Sequence, residues 1–325
     1  MELQKLAAAV IDGDRRALSR AITLVESARS DHREQAAELL ELLSKSERQA
    51  LRIGLSGTPG VGKSTFIESF GMSLVAKELR VAVLAVDPSS TRSGGSILGD
   101  KTRMDRLSRE KRAFIRPSPS QTHLGGVARR SREAVAVCEA AGFDVVLIET
   151  VGGGQSETVV AQMSDLFVLL LAPAGGDELQ GVKRGIMKMA DLILINKADG
   201  DLKSAAMRTM ADYAGALRLL RKRAQDPKDF PKALAVSALE ENGLDAAWDE
   251  MQALTAWRRA EGFFERTRSE QSRFWFEEDV RQALLAQLSA PGPLKDAMEE
   301  LGAQVAQGDL TPALAAQRMQ AILQG

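Results

Sequence analysis

Between about residue 50 and residue 240, the chain alternates short apolar runs with longer amphipathic segments. Seven of the runs have the length and apolarity of strands buried on both faces of a sheet. They are residues 51–56, 81–86, 113–116, 145–148, 166–172, 192–195 and 233–236. Most segments between them carry apolar residues at helical spacing. Alternating strands and helices predict an α/β domain over residues 49–262, with a mostly parallel sheet covered by helices.

The first 48 residues show helical periodicity only. Two apolar stripes predict a helical hairpin. The first stripe is Leu3, Leu6, Val10 and Ile11, and the second is Leu18, Ile22 and Val25. Asp31 and Glu34 have the spacing of a capping box, which predicts that a further helix starts there. We expect this N-terminal helical extension, residues 1–48, to pack on the α/β domain.

Residues 263–325 also predict helices and begin with an aromatic cluster. A long helix with a large apolar face is indicated by Phe263, Phe264, Phe274, Trp275, Phe276, Val280, Leu284, Leu285 and Leu288. Residues 291–293, Pro-Gly-Pro, interrupt the pattern, and Thr311 with Pro312 predicts the start of a last amphipathic helix. This arm packs either on its own domain or on a second copy of the chain. We favour a homodimer, because an exposed apolar face of that size needs a partner.

The first predicted strand leads into the pattern G-x-x-x-x-G-K-[ST], the phosphate-binding loop of P-loop nucleotidases. The loop consists of Gly57, Thr58, Pro59, Gly60, Val61, Gly62, Lys63 and Ser64, followed by Thr65. Its glycines let backbone N–H groups curl round a diphosphate, and the next helix directs its positive end at the phosphates. Lys63 can reach the β- and γ-phosphate oxygens, and the Ser64 hydroxyl can hold Mg²⁺. The chain is therefore predicted to bind a nucleoside triphosphate.

A second motif, Asn196-Lys197-Ala198-Asp199, follows the sixth predicted strand. The Asp199 carboxylate can accept two hydrogen bonds, from N1–H and the 2-amino group of guanine, which adenine lacks. Lys197 can lie along the base and reach back to the phosphate loop. Ser237, at the end of the seventh strand, begins a segment whose backbone N–H groups can meet guanine O6. This order of elements predicts a protein that binds GTP.

Carboxylates follow two other strands. Asp87 and Glu149 stand at strand ends where oxygen ligands can hold Mg²⁺, and Asp100 lies in a glycine-rich charged segment that can close on the metal. Asp87 is equally typical of a turn or a helix cap. Gly152 can offer its N–H to a γ-phosphate. Gln155 fits two interpretations, a residue that positions water or a polar residue that starts a helix.

Composition excludes several classes of protein. The 325 residues carry a net charge of −1, which gives no general attraction to nucleic acid. No apolar run reaches the length that spans a membrane, and the first residues lack the pattern of a signal peptide. The single cysteine, Cys138, excludes an intramolecular disulfide and fits a reducing compartment. We expect a soluble cytoplasmic protein.

Six segments together resemble the methylmalonyl-CoA mutase-associated GTPases, the family of P-loop G proteins that includes MeaB, ArgK and MMAA. They are G-T-P-G-V-G-K-S-T, A-V-D-P-S-S, G-D-K-T-R-M, E-T-V-G-G-G-Q-S-E, G-D-E-L-Q-G-V-K and N-K-A-D. The second and fifth are not general features of P-loop proteins. The likeness covers nearly the whole chain, including the helical extension and the C-terminal arm.

This resemblance implies a GTPase that protects an adenosylcobalamin-dependent acyl-CoA mutase and gates its cofactor loading. Methylmalonyl-CoA mutase is the expected partner, and a cobalamin adenosyltransferase is a further candidate. The implied Mg²⁺ environment is Ser64, Asp87, Asp100 and Glu149, and GTP or GDP is the bound nucleotide. The implied base pocket is completed by Ala235, Val236 and Ser237. The implied dimer forms through residues 263–325.

Hydrolysis is expected to be slow in the isolated protein and faster with the mutase, to which a switch loop at residues 177–183 would respond. The catalytic candidates are Lys63, Asp87, Glu149, Gln155 and Lys183. Activation of the attacking water stays open between Gln155, Lys183 and a residue of the partner.

Two other functions fit parts of the same pattern. A nickel-insertion GTPase would need Cys and His clusters, but the chain has one cysteine and two separated histidines, His32 and His123. A transport-associated protein kinase would pass the γ-phosphate to a protein, and the guanine-reading motif argues against ATP as its donor.

Overall fold

The computed structural model describes residues 2–27, 29–86, 104–117, 124–150, 156–173, 184–220 and 222–324. Asp87, Asp100, Gly152, Gln155 and Lys183 lie outside these ranges. The chain divides into two units, Met1–Arg268 and Ser269–Gly325.

The first unit contains a sheet of seven parallel strands, which confirms the predicted α/β fold. The strands are β1 (Leu51–Gly57), β2 (Val81–Val86), β3 (Ala113–Arg116), β4 (Val145–Thr150), β5 (Leu166–Leu171), β6 (Leu192–Ile195) and β7 (Lys232–Ala235). Their order across the sheet is β3-β2-β4-β1-β5-β6-β7. The connection from β1 leads to β2 on one side of it, and the connection from β4 passes β1 to reach β5 on the other side. The strand order therefore reverses beside β1, and the crevice for a ligand lies at its carboxyl end.

Helices cover the sheet and continue into the second unit. In chain order they are α1 (Glu2–Ile11), α2 (Arg15–Glu26), α3 (Ser30–Ser44), α4 (Lys63–Ala76), α5 (Asp105–Arg109), α6 (Leu124–Ala140), α7 (Ser156–Met163), α8 (Arg184–Met189), α9 (Lys203–Arg218), α10 (Leu244–Ala260), α11 (Phe263–Ser289), α12 (Pro293–Gln307) and α13 (Pro312–Gln324). A 3₁₀ turn at Gly200–Leu202 precedes α9. None of the helices in the described ranges combines the length and apolarity needed to cross a lipid bilayer.

The core beneath the phosphate loop is built from α4, α10 and the sheet. Phe66 and Phe70 on α4 stack at 5.2 Å between ring centroids, and Trp248 on α10 meets Phe70 edge-on at 6.1 Å. These rings pack with buried side chains of β1 such as Ile53 and Leu55. Because α4 begins directly after the phosphate loop, this packing fixes the direction in which the helix points at the site.

The N-terminal extension forms three helices, and one predicted detail is wrong. The proposed capping box of Asp31 and Glu34 is absent, since α3 begins after Arg29 with no side-chain cap. The guanidinium of Arg29 donates to both Asp31 oxygens, at 3.0 and 2.7 Å. Because the Asp31 carboxylate is engaged in this charge-assisted pair, it does not accept a backbone N–H of the first turn of α3 as a capping residue would. Asp14 does cap α2, accepting from the Ala17 N–H at 2.6 Å.

Ion pairs attach the extension to the α/β domain. Arg33 on α3 donates to both oxygens of Glu133 on α6, at 2.9 and 2.6 Å. The guanidinium of Arg116, at the end of β3, is paired with Glu26 on α2. The extension therefore packs on the domain, as the sequence predicted.

The second unit is a small helical assembly. Leu301, Leu310, Ala315 and Met319 form its buried cluster. The sequence predicted only an interruption at residues 291–293, whereas the structure starts α12 at Pro293, a residue well suited to a first helical turn. On α11, large apolar side chains are exposed, including Phe276, Val280, Leu284 and Leu285.

Three aspartates close the edge of the sheet at which the strands begin. Each lies one residue before a strand, donates its backbone N–H to the carbonyl of a residue at or next to the start of the neighbouring strand, and accepts the backbone N–H of that same residue with its carboxylate. The pairs are Asp144 with Arg80, Asp165 with Arg52, and Asp191 with Phe167, at 2.7 to 2.9 Å. We call them the strand-start clamps. They provide hydrogen-bond partners for backbone N–H and C=O groups that the strand-to-strand hydrogen bonds do not satisfy at this edge.

Arginines neutralise two of the clamps. Asp191 is buried, and its carboxylate accepts from Arg258 at 2.5 Å and from Arg223 at 2.6 Å. Burial alone would raise the pKa of Asp191, but the two guanidinium groups outweigh it and hold the pKa below its ordinary value. Arg268, in the first part of α11, pairs with Asp165 at 2.7 Å.

We predict that Asp191→Asn lowers the free energy of unfolding by about 3 kcal/mol at pH 7, because the buried guanidinium of Arg258 and the partly buried one of Arg223 lose a counter-charge. A carboxyl whose pKa is depressed in the folded state stabilises it above the unfolded pKa of about 3.9, and this contribution is lost as the pH falls. The difference in unfolding free energy between the variant and the unmodified protein should therefore become smaller as the pH falls from 5 to 3. Urea unfolding over this pH range measures both effects.

Asp245→Asn is the matched control, since Asp245 is exposed and pairs with Lys77 at the surface. It should leave the unfolding free energy unchanged. Equal unfolding free energies for Asp191→Asn and the unmodified chain at pH 7 would refute the stabilising role of the clamp.

Candidate functional site

The phosphate loop lies at the carboxyl end of the central strand, between β1 and α4. Gly62 takes the left-handed conformation at φ +87°, and a Cβ there would come within 2.8 Å of the Asn196 amide nitrogen. Both the backbone angle and the close approach therefore require glycine. A Cβ on Gly57 would meet the Leu170 carbonyl oxygen at 2.4 Å. These contacts pack the loop tightly against β5 and the segment after β6.

Lys63 lies inside the curve of this loop. Its Nζ donates to the Gly57 carbonyl at 2.8 Å. Partial burial lowers the pKa of Lys63, while the charges of Glu149 and Glu157 act in the opposite direction. The ammonium thus faces the position at which the motif predicts the β- and γ-phosphates.

Asn196 connects the phosphate loop to the predicted base-reading loop. Its side-chain amide donates to the Val61 carbonyl at 2.9 Å, and its side-chain oxygen accepts the Ala238 N–H at 3.0 Å. The residue is buried, and its own N–H donates to Leu171 at the end of β5. One side chain therefore holds three loops in a fixed arrangement.

Lys197 forms a second connection. It takes the left-handed region at φ +60°, and its Nζ donates to the Gly60 carbonyl at 2.7 Å. This is the reach back to the phosphate loop that the sequence predicted for this side chain. The alkyl part of the side chain then lies between the two loops, where a base would stack on it.

Asp199 is oriented by Ser237. The Ser237 hydroxyl donates to the Asp199 carboxylate and accepts the Glu240 N–H at 3.0 Å. Ser237 also exchanges two backbone hydrogen bonds with Asn242, at 2.9 and 3.0 Å. The loop after β7 is bound to α4 as well, because Ser69 donates to the Ala238 carbonyl at 2.7 Å. The three residues predicted to complete the base pocket, Ala235, Val236 and Ser237, lead from β7 into this loop.

The described part of the chain supplies two of the four proposed metal ligands. Ser64 lies in the first turn of α4, and Glu149 is buried at the carboxyl end of β4. A hydroxyl and a carboxylate are oxygen donors of the kind that Mg²⁺ prefers, so these residues fit the ion. Within the described ranges, no group of three or more His, Cys, Asp or Glu side chains is arranged to hold a metal. Asp87 and Asp100 lie outside those ranges.

Sequence reasoning missed two features of the site. It placed Asn196 with Lys197 and Asp199 as a reader of guanine, but it did not predict that the Asn196 amide bridges two loops, because such a bridge is visible only when the loops are brought together. It also passed over Glu157, a buried carboxylate in the first turn of α7. The one signal for Glu157 was its place at the end of the segment E-T-V-G-G-G-Q-S-E.

Comparisons with known proteins agree with this geometry. The model of the family described as methylmalonyl-CoA mutase-associated GTPase matches residues 18–292. A probable GTPase of Mycobacterium tuberculosis is 50% identical over 314 residues, which cover 97% of this chain and 93% of the relative.

Two further relatives extend the comparison. The mitochondrial methylmalonic aciduria type A homolog of Mus musculus is 45% identical over 324 residues, covering 97% of this chain and 78% of the relative. A crystal structure described as a LAO/AO transport system kinase has 36% sequence identity and a TM-score of 0.78, covering 99% of this chain and 98% of that one.

We predict that Asp199→Asn weakens GDP binding about a hundredfold, because two hydrogen bonds to an ionised acceptor are lost. The same variant should bind xanthosine diphosphate better than GDP, since the 2-oxo group of xanthine can accept from the new amide. Titration calorimetry with GDP, ADP and xanthosine diphosphate measures the three affinities.

Asp201→Asn makes the same exchange at an exposed position nearby and should leave GDP affinity unchanged. Equal affinity of the unmodified protein for GDP and ADP would rule out Asp199 as a guanine reader.

Proposed function

This chain belongs to the family of methylmalonyl-CoA mutase-associated GTPases, and from that premise we propose that it is a GTP-hydrolysing chaperone of an adenosylcobalamin-dependent acyl-CoA mutase. The observation that carries the nucleotide part is the bridge that Asn196 makes between the phosphate loop and the loop after β7. The partner is supported by the family's description and by the name of the mouse relative, which refers to methylmalonic aciduria.

The proposed nucleotide spans the two loops. Backbone N–H groups of residues 57–65 and the start of α4 would bind the phosphates, and Lys63 would move from the Gly57 carbonyl to a phosphate oxygen. The Asp199 carboxylate, held by Ser237, would select guanine over adenine. Asn196 and Lys197 would keep the separation between these two halves constant.

For hydrolysis we propose the metal environment of Ser64, Asp87, Asp100 and Glu149. Mg²⁺ would neutralise charge on the β- and γ-phosphates when it is bound. Gly152 is proposed to donate its N–H to the γ-phosphate. Activation of the attacking water is assigned to Gln155, to Lys183 or to a residue of the partner.

The mutase is proposed to act on the switch loop at residues 177–183. Such a partner would speed a slow GTPase by completing its transition-state contacts, and each tenfold acceleration needs about 1.4 kcal/mol. GTP hydrolysis would then report that the mutase is correctly loaded with its cofactor. A cobalamin adenosyltransferase is the proposed source of that cofactor.

For the C-terminal arm we propose a homodimer. The exposed Phe276, Val280 and Leu284 follow one another at four-residue spacing along α11, so they form one apolar stripe. A second copy of the same stripe is a self-complementary partner. Sedimentation at the mass of a monomer over a wide concentration range would contradict this part of the proposal.

A protein kinase is the second candidate, favoured by the description of the related crystal structure as a transport system kinase. A kinase would transfer the γ-phosphate to a protein, whereas the proposed GTPase transfers it to water. Incubation with γ-labelled GTP or ATP and a candidate acceptor separates the two. Label found in the acceptor protein would favour the kinase.

We predict that Glu149→Gln lowers the rate of GTP hydrolysis at least tenfold, about 1.4 kcal/mol in the barrier, with a smaller effect on GDP affinity. The amide keeps the volume of the buried side chain but removes the charge that Mg²⁺ would need. Asp87→Asn should behave in the same way. Single-turnover hydrolysis and GDP titration give the two quantities.

Glu133→Gln is the control, since Glu133 is also a buried glutamate but pairs with Arg33 away from the site. It should leave hydrolysis unchanged. Normal hydrolysis by both Glu149→Gln and Asp87→Asn would show that other carboxylates hold the metal.

We also predict that the cognate mutase accelerates single-turnover GTP hydrolysis at least tenfold. Lys183→Ala should lose more of the stimulated rate than of the basal rate. Lys188→Ala, an exposed lysine on α8, is the matched control and should be stimulated normally.

Equal stimulation of Lys183→Ala and the unmodified chain would remove Lys183 from the mechanism. If no acyl-CoA mutase of the source cell changes the rate, the chaperone proposal fails while the GTPase assignment stands.

A further inference from the structure

Glu157 is a buried carboxylate close to the phosphate loop for which the function above has no role. It lies in the first turn of α7, and only 9% of its surface is exposed. A buried carboxylate is costly unless cationic or hydrogen-bonding groups surround it. The groups that surround the Glu157 carboxylate therefore indicate its role.

Helix α7 is pressed against the strand that carries the phosphate loop. A Cβ on Gly54 of β1 would lie 2.5 Å from the Ser164 hydroxyl and 2.8 Å from a Val160 methyl group. Glycine at this position lets the helix and the strand approach each other closely. Because α7 connects the parallel strands β4 and β5, it runs antiparallel to β1. Its first turn therefore lies towards the phosphate loop.

The dimensions of the two elements place the Glu157 carboxylate level with Gly57. Three residues of β1 separate Gly54 from Gly57, a rise of about 10 Å. Gly54 faces the part of α7 between Val160 and Ser164. The middle of that part is about five helical residues from Glu157, a rise of roughly 7.5 Å. The side chain adds a few ångströms in the same direction, because Cα–Cβ bonds tilt towards a helix N-terminus. Gly57 carries the carbonyl that holds Lys63 Nζ at 2.8 Å.

The electrostatics agree with this placement. The negative charges of Glu149 and Glu157 both raise the pKa of Lys63, against the lowering effect of burial. Both carboxylates therefore lie within electrostatic reach of the ammonium. They differ in one respect, since Glu149 is a proposed ligand of Mg²⁺ and Glu157 is not.

We infer that Glu157 is a positioning residue of the phosphate site, which holds the Lys63 ammonium beside Gly57 and weakens the binding of a nucleoside diphosphate. When phosphates bind, Lys63 must leave this position, and the Glu157 charge stays close to the anionic ligand. Like charges in a partly buried site repel over several ångströms. GDP would consequently dissociate faster than the phosphate loop alone would allow. This inference rests on the proposed nucleotide binding.

The test compares GDP binding by Glu157→Gln and the unmodified chain in EDTA, so that metal ligands play no part. The variant keeps the size of the side chain and removes its charge. We expect it to bind GDP about fivefold more tightly, mainly through slower dissociation, which stopped-flow measurements with a fluorescent GDP derivative resolve. Glu157→Asp keeps the charge and should bind GDP as weakly as the unmodified chain.

Guanosine is the matched ligand, because it has the base and no phosphate. Its affinity should be the same for the unmodified chain and Glu157→Gln, whereas damage to the pocket would weaken guanosine and GDP together. Unchanged or weaker GDP binding by Glu157→Gln would overturn the inference. Absence of GDP binding by the unmodified chain would instead overturn the proposed function, so the two failures are distinguishable.

Discussion

The candidate site depends on the side-chain amide of Asn196. The phosphate loop follows β1 and the predicted base loop follows β6, and these strands are not neighbours, since β5 lies between them. The ladder of the sheet therefore cannot join the two loops. Asn196 joins them with one donor and one acceptor, to Val61 and Ala238, at a buried position where unmade hydrogen bonds are costly. A nucleotide that spans the loops would meet a spacing already set by the protein.

The two edges of the sheet perform different tasks. At the carboxyl edge, side chains such as Lys63 and Asp199 are bound by single contacts that a ligand can replace. At the opposite edge, Asp165 and Asp191 are buried with arginines from α10 and α11 and from the segment before β7. Such pairs are costly to break, because one buried charge would be left without the other. The buried ion pairs of Asp165 and Asp191 thus lie away from the edge proposed to change with the nucleotide.

Much of this architecture could be predicted from the sequence. The first six strands begin where the apolar runs begin, because strands buried on both faces admit few polar residues. The errors concern strand ends: β4 continues to Thr150, β5 ends one residue earlier at Leu171, and β7 spans Lys232–Ala235 instead of residues 233–236. The motifs lie, as predicted, in the loops that follow β1 and β6. The sequence could not reveal the Asn196 bridge or the strand-start clamps, because a single Asn or Asp before or after a strand looks like an ordinary turn residue.

The strand-start clamps also bear on how the chain finds its pairing during folding. Parallel strands built from Val, Leu and Ile present nearly equivalent side chains at every position, so shifted alignments compete with the correct one. A clamp has no equivalent in a shifted alignment, because a slip of one residue would break both of its hydrogen bonds. At Asp165 and Asp191 it would also leave a buried carboxylate without its backbone donor. The aspartates before β4, β5 and β6 therefore act as register markers. With alignment specified at that edge, the residues at the carboxyl edge do not have to set the pairing of the strands.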